Sequence, residues 1–432
     1  MTPLMDFFTD RLEAKRRSAA SGLRGWRIAL VESTALEAGI KDNMMGGPYM
    51  SPSRKEELTG EVNLLWGGSR FTLANITRDT ADDFEKQWAL WAKTAYHDPE
   101  GPELLPPQAY PDVPVFDERI SGSLHGNPGS LVDFLKKAQE SALVYGAGKI
   151  DRGFINGVEQ QKYIRNSEGL DYQGRATSFS CMLSADARYG DALRQRFWPG
   201  EKERDRFCRR IGETAALLKK DAPARKPAVI VFTPQLVEDF LDHYFLSNLN
   251  GSLVANRRAA FSWPDFQGNK KVWRGDLSFH IDNTVPGNIG SYHCTSEGAP
   301  GGKMDLIRNG CLRQPFLNVK YGQKLGLPPT PQPSNGSGFF LDAERKEDYR
   351  AMLAGFDQAV LVFSVLGLHT QDYTSGKFSL TADQCLGLER GEITGRVKMV
   401  ITGNIFEIFN RDDTRFAVVE GEDNPALAFV NR

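Results

Sequence analysis

The chain has 432 residues, 40% of them hydrophobic and 25% charged. That is too long for one ordinary domain and apolar enough for large cores, which excludes general disorder and predicts two domains, three at most. Its 53 lysines and arginines against 55 aspartates and glutamates leave a formal net charge of −2, so neither a nucleic-acid partner nor a membrane partner is expected.

Residues 5–20 read as a surface helix rich in Arg and Lys. Strand-like segments follow at 26–32 and 61–66, with a Gly/Pro/Met-rich loop at 44–53 between them. Thr80 then caps a helix with Asp83 at the capping-box position, and Phe84, Trp88, Trp91, Ala92 and Ala95 form one apolar face. A proline-rich connector, 99–115, leads to a helix at 130–143, opened by Ser130, with Leu131, Phe134, Leu135, Ala138 and Ala142 inward. From 150 to 190 the pattern turns to strands, with a turn at 166–169 and alternation over 176–185. A charged helix, 200–220, runs into the Pro/Ala/Lys stretch 221–227, which marks the domain boundary. The first domain is therefore 1–220, α/β with a mixed sheet and helices.

The second domain, 228–432, opens with a buried strand at 228–232. Thr233 then caps a helix, 234–249, with Pro234 at its first position. Its stripe is Val237, Phe240, Leu241, Tyr244, Phe245 and Leu249. Beyond Gly251 the chain is rich in Gly, Asn and Pro, with short strands at 276–282, 358–366, 377–380, 396–402 and 415–419. These predict a large curved antiparallel sheet, barrel-like, and an α+β fold class for the whole chain.

The five cysteines (Cys181, Cys208, Cys294, Cys311 and Cys385) are odd in number, widely spaced and free of any C-x-x-C pair. They read as reduced thiols of a cytoplasmic protein. The N-terminal stretch lacks the apolar segment of a secretory signal. The longest apolar run, around 359–366, is far short of the ~20 residues that span a bilayer.

Most catalytic templates fail. G-x-S-x-G is absent. Gly146-Ala-Gly148 starts a dinucleotide-like pattern, but Asp151 stands where the third glycine belongs. Gly302-Lys303 is followed by Met304, and Glu297 replaces the first glycine of a phosphate loop. A helix zinc site needs two histidines one turn apart. Of the six histidines (His97, His125, His243, His280, His293 and His369), helix 234–249 carries only His243, beside Glu238, Asp239 and Asp242. His243 is expected to border the apolar stripe as a packing residue. His280-x-Asp282 points two side chains to one face of a strand, a weak metal pair and more simply a salt-linked surface pair. His293 and Cys294 are adjacent and would face opposite ways on a strand, so they do not make a dyad. Cys294 and Cys311 are expected as small buried residues. The Gly-rich segments 166–169, 296–302 and 373–376 are turn chemistry first, although loops on rigid sheets often hold sites. No catalytic and no metal-ligating residue is assigned in this chain.

Several segments, taken in order, resemble one family. They are 160–169 with its Asn-Ser-Glu-Gly turn, the strand and following residues 228–238, and Thr295-Ser-Glu-Gly298 followed by Leu306-Ile-Arg-Asn-Gly310. The most specific is the run 367–379 (GLHTQDYTSGKFS), then Leu388-Glu-Arg-Gly-Glu-Ile393 and Ile401-Thr-Gly-Asn404. Their order and spacing over about 150–410 resemble the TldD/PmbA family, once described as modulators of DNA gyrase; the first ~75 residues match poorly. In that family, TldD-type chains carry H-E-x-x-x-H plus a later cysteine and bind the zinc of a metalloprotease. PmbA-type chains, also called TldE, lack the ligands, and the two types assemble around an enclosed peptide cavity. The helix here reads 236–246 LVEDFLDHYFL, without the zinc motif. His369 in the G-x-H stretch also looks PmbA-type, whereas Asp372 and Tyr373 depart from the polar pair common among relatives.

The resemblance implies a non-zinc subunit with no cofactor of its own. Zinc would reside in a TldD-like partner, in a heterodimer, or the chain would pair with itself as a homodimer. It would hold unfolded or leader peptides in a groove lined by His369, Tyr373, Thr374, Gly376, Phe378 and Ser379, while the partner's zinc supplies hydrolysis. Two alternatives stand beside this reading. One is a self-sufficient metallopeptidase with His243, His280, Asp282 or His293 as unorthodox ligands. The other is a non-enzymatic regulatory scaffold.

Overall fold

The computed structural model describes residues 3–46, 51–101, 103–223 and 227–431. The fold is α+β, with three sheets and helices packed against them. The first sheet is antiparallel throughout and comes wholly from the first half. Its strands are β1 (Leu23–Lys41), β2 (Met44–Met45), β3 (Ser53–Trp66), β4 (Arg70–Ile76), β5 (Tyr96–His97), β6 (Ile150–Asn166), β7 (Asp171–Ala185) and β8 (Tyr189–Gln195). They lie in the order β5-β4-β3-β1-β6-β7-β8, with β2 hooked onto the end of β1.

At 19 residues, β1 is about 60 Å long and too long for one helical layer. Its even-numbered side chains therefore feed two cores on one face. Trp26, Ile28 and Leu30 meet Met5, Phe8 and Leu12 of the helix Pro3–Arg17. Leu36, Ala38 and Ile40 meet Phe134 and Leu135 of the helix Gly129–Val144, behind which lie Phe207 and Ile211 of the helix Glu201–Leu217.

Several local expectations shift. Thr77, not Thr80, is the N-cap: its hydroxyl accepts from the Thr80 N–H at 3.3 Å, and the Thr80 hydroxyl accepts from the Thr77 N–H at 3.1 Å. That reciprocal box starts the helix at Arg78 and leaves Asp83 at a break before the helix Phe84–Thr94. Ser130 lies inside a helix that begins at Gly129, where Pro128 supplies the entry. A helix at Glu118–His125 follows directly on the proline-rich connector and was not anticipated. Residues 47–50 of the expected loop and 224–226 of the expected boundary lie outside the described residues.

The strands of the second half divide between two sheets. The strands β9 (Val229–Phe232), β10 (Leu277–Asp282), β11 (Lys303–Arg308), β12 (Cys311–Leu312), β13 (Phe339–Ala343), β14 (Lys346–Asp348), β15 (Gln358–Leu366), β16 (Lys377–Glu389), β17 (Glu392–Asn404), β18 (Arg415–Val418) and β19 (Ala426–Val430) complete the chain. A four-stranded antiparallel sheet has the order β12-β11-β10-β13. A seven-stranded sheet has the order β14-β18-β19-β9-β15-β16-β17. Two of its pairings, β9 with β15 and β14 with β18, are parallel. The mixed pairing expected in the first half thus belongs to the second, because β9 leads into a helix before the chain returns as β15.

That helix fills the space between the two sheets. All six residues of its expected stripe are buried in the largest core. It is not a uniform α-helix: Pro234–Phe240 is α, Leu241–Leu246 is a π turn and Ser247–Leu249 is α again. Thr233 occupies the N-cap without a side-chain cap bond, and its buried hydroxyl has no partner among the described residues. No helix of the described residues is long and apolar enough to cross a membrane. All five cysteines are free.

Candidate functional site

The π turn puts one extra residue into the helix where it faces open space, a feature that recurs at functional sites. A cavity of about 590 Å³ opens there, lined by Asp239, Asp242, His243 and Ser247 of the helix, by Asn250 and by His369. The segment 367–379 is pinned to the helix by three bonds to its backbone carbonyls. His243 Nε2 lies 3.1 Å from the Gln371 carbonyl, the Tyr244 hydroxyl donates to Lys377 O at 2.9 Å, and Asn248 Nδ2 donates to Tyr373 O at 2.7 Å.

A carbonyl oxygen can only accept, so His243 carries its proton on Nε2 and leaves Nδ1 as the acceptor. Burial lowers the pKa of this imidazole, the Gln371 bond and Asp242 opposing. Both aspartates remain accessible on the cavity wall. Desolvation, then Asp242, pushes Asp239 up to about 6, and desolvation also raises Asp242. The wall therefore offers carboxyl groups that take protons more readily than usual, beside a neutral imidazole.

The residues present do not fit a catalytic zinc. One imidazole stands on the helix, and its Nε2 is committed to a carbonyl. His280 Nδ1 pairs with Asp342 Oδ2 at 3.1 Å while its ring stacks on Phe340, and Asp282 accepts from Thr284 instead. His293 is engaged at both nitrogens, Nδ1 with the Tyr172 hydroxyl and Nε2 with the Val113 carbonyl, each at 2.9 Å. Among the described residues, no group of three or more His, Cys, Asp or Glu could hold a metal ion.

Of the residues expected to line the groove, His369 is on the cavity wall. The others shape the segment that carries it. The Tyr373 hydroxyl donates to Arg258 O at 3.1 Å, and the Thr374 hydroxyl donates to Asp372 at 2.7 Å. Gly376 has φ +68°, and a Cβ there would fall 2.5 Å from the Phe406 ring. Phe378 is buried edge-on against Phe240, and the Ser379 N–H donates to Gln371 Oε1 at 3.2 Å. The acidic wall itself, Asp239 and Asp242, was visible in the sequence only as an i, i+3 pair on the polar side of the helix.

Glu238 stands on another flank of this helix, near Glu422 and Asp423, and accepts from Asn424 Nδ2 at 3.0 Å. Desolvation, followed by its carboxylate neighbours, pushes its pKa up to about 7. Across pH 4.5 to 7 the native state therefore binds more protons here than the unfolded chain, and stability falls as pH rises. E238Q keeps the acceptor and removes this fall. It is expected to stabilise on the order of 2 kcal/mol at pH 8 and by nothing near pH 4, a difference read from urea unfolding at the two pH values.

Residues 127–219 match the family model of the PmbA/TldA metallopeptidase central domain, and residues 225–415 match that of the PmbA/TldA metallopeptidase C-terminal domain. A protein of Methanocaldococcus jannaschii described as uncharacterized is 24% identical over 303 residues, 65% of this chain and 67% of that protein. Among solved structures, TldE from Thermococcus kodakarensis has a TM-score of 0.81 at 17% identity, over 98% of this chain and 99% of its own. A protein of Thermotoga maritima described as a candidate modulator of a DNA gyrase has a TM-score of 0.78 at 18% identity, over 99% of both chains. A Bacteroides thetaiotaomicron protein of the same description has 0.76 at 17%, over 99% of this chain and 97% of its own. At these identities the likeness to the solved structures is one of fold.

Proposed function

Because the chain belongs to the PmbA/TldD metallopeptidase family, we propose that it is the TldE-like, non-zinc subunit of a TldD-type metalloprotease complex. It contributes a peptide-holding cavity, and a zinc-bearing partner chain cleaves the peptide. The observation that carries this reading is the commitment of His243, the lone helix histidine, to the Gln371 carbonyl. The helix that bears the zinc pair in TldD-type chains is here used as a wall. Its aspartates offer acceptors to peptide N–H groups, and strand edges can add backbone bonds that need little side-chain specificity. Substrates on this account are unfolded or flexible peptides, and the near-neutral charge gives no reason to expect DNA contact.

The test is to assay a flexible peptide with this chain alone, with a TldD-type chain alone and with both. The account expects cleavage by the pair well above either alone. It also expects H369A to raise KM by about tenfold with kcat unchanged, since a hydrogen bond of about 1.5 kcal/mol to the held peptide is lost. Metal-dependent cleavage by this chain alone, or a pair no more active than the partner, would contradict it.

A further inference from the structure

A second cavity, of about 400 Å³, adjoins the first: Pro333 lines both. Its chemistry is of opposite sign. Lys162 and Arg196 line it together with Tyr172 and Tyr292. Lys162 donates one bond, to the Cys294 carbonyl at 2.9 Å, which leaves two of its three N–H donors without a partner among the described residues. Arg196 is buried and bonds only to carbonyls, Ser291 O at 2.9 and 3.2 Å and Thr177 O at 3.3 Å. Neither cation has a carboxylate at ion-pair distance among the described residues. Arg27 lies nearby as well, and its own charge is met by Glu61 at 3.0 Å and Glu297 at 3.9 Å.

Charges taken out of water without a counter-ion destabilise the fold unless something pairs with them. Burial lowers the Lys162 pKa, with Cys294 opposing and Arg196 and Arg27 adding, and burial alone pushes Arg196 down to about 10. Both shifts describe positive charge that the chain leaves unmatched. The neighbouring wall carries Asp239 and Asp242, which repel an anion. The apolar faces of Val31, Val115 and Tyr172 suit a side chain more than a bare inorganic ion.

From this arrangement we infer that the Lys162–Arg196 cavity binds the terminal carboxylate of a peptide, so that the held chain points its C-terminus toward Lys162 and runs past Pro333 along the acidic wall. The inference deepens the peptide-holding reading and rests on it, adding a substrate end and a direction.

The experiment uses the full chain and one flexible peptide in two forms, free acid and C-terminal amide, with inorganic phosphate as competitor. Binding is followed by anisotropy. The free acid is expected to bind about tenfold more tightly than the amide, the range of one charge-assisted hydrogen bond. K162M should abolish that preference and leave amide binding unchanged, and K162R should keep it. K162M should also melt no lower than the parent chain, since it removes a half-buried cation that no carboxylate matches. Should K162M not fold, the comparison of acid and amide on the unaltered chain decides alone. Equal binding of the two forms, a preference that survives K162M, or phosphate that binds through Lys162 more tightly than the free acid would each overturn the inference. Failure of both peptides to bind would sink the peptide-holding reading itself, whereas equal binding sinks only the assignment of the terminus.

Discussion

Replacing Arg210 by methionine should destabilise the protein by about 3 kcal/mol at pH 8, the low end for breaking a buried ion pair from one side. Arg210 lies on the helix Glu201–Leu217 and bonds through Nε to Asp191 of β8 and through Nη1 to Glu422, in the turn before β19. Glu422 in turn accepts from Gln235 Nε2 at 2.7 Å. One guanidinium thus ties the first sheet's helical layer to the base of the helix that walls the cavity. Asp191 and Glu422 are 9% and 13% exposed, so without Arg210 both charges stay largely out of water with no cation paired to them among the described residues. Burial already raises the Glu422 pKa, with Arg210 opposing. In the variant that opposition is gone, and the folded value rises further above the unfolded one. The deficit should therefore be complete above the folded pKa and shrink as pH falls toward 5. Urea midpoints at pH 8 and pH 5 test both parts. An equal loss at the two pH values would show that lost packing, not stranded charge, is the cause.

The second large effect is expected at Trp273. Its fully buried ring packs against Phe245 of the π turn at 4.7 Å, Phe409 at 4.8 Å and Phe279 of β10 at 5.7 Å. It is the wedge between the helix and the four-stranded sheet. W273A is expected to cost about 3–5 kcal/mol, the transfer and cavity terms together, and to lower the melting temperature by roughly 10 °C. W273F should recover most of the loss, because the indole N–H has no partner among the described residues to lose. Calorimetry of the three forms checks this ranking. A W273A protein that melts within a few degrees of the parent would mean that the aromatic cluster does not hold the helix in place.

The helix stripe from Val237 to Leu249 was legible because its period of 3.6 points one set of apolar side chains at one core. The turn at 166–169 was legible for a similarly local reason. Asn166 Oδ1 accepts from the Glu168 and Leu170 N–H groups at 2.9 and 3.1 Å, a side-chain preference the residue types announce. What escaped depends on distant partners. The parallel seam of Val229–Phe232 with Ala359–Val362 joins segments about 130 residues apart, and no local pattern states such a register. The short strands β11 to β14 have too few residues to show a period. The π turn leaves no mark in the hydropathy pattern. It shows only in backbone bonding, yet it sets where His243 stands.

The candidate site was half legible for the same reasons. The segment 367–379 could be singled out by its residues. Its docking onto the helix, through the Gln371, Tyr373 and Lys377 carbonyls, could not, because backbone acceptors carry no sequence signature. Phe378 and Gly376 were expected at the groove, and the structure uses them to seat the segment: one fills the core, and the other allows the approach of Phe406. The cationic cavity was invisible in the sequence. Lys162 comes from β6 and Arg196 follows β8, and only the sheet brings them to one opening.

The central claim is that this chain brings a cavity and not a zinc. It is tested most directly by the zinc content of the chain purified alone and dialysed without chelator. The account predicts near-zero zinc per chain, with metal found only after a TldD-type partner is added. About one zinc per chain, lost on H243A, would contradict it and make this protein a peptidase in its own right.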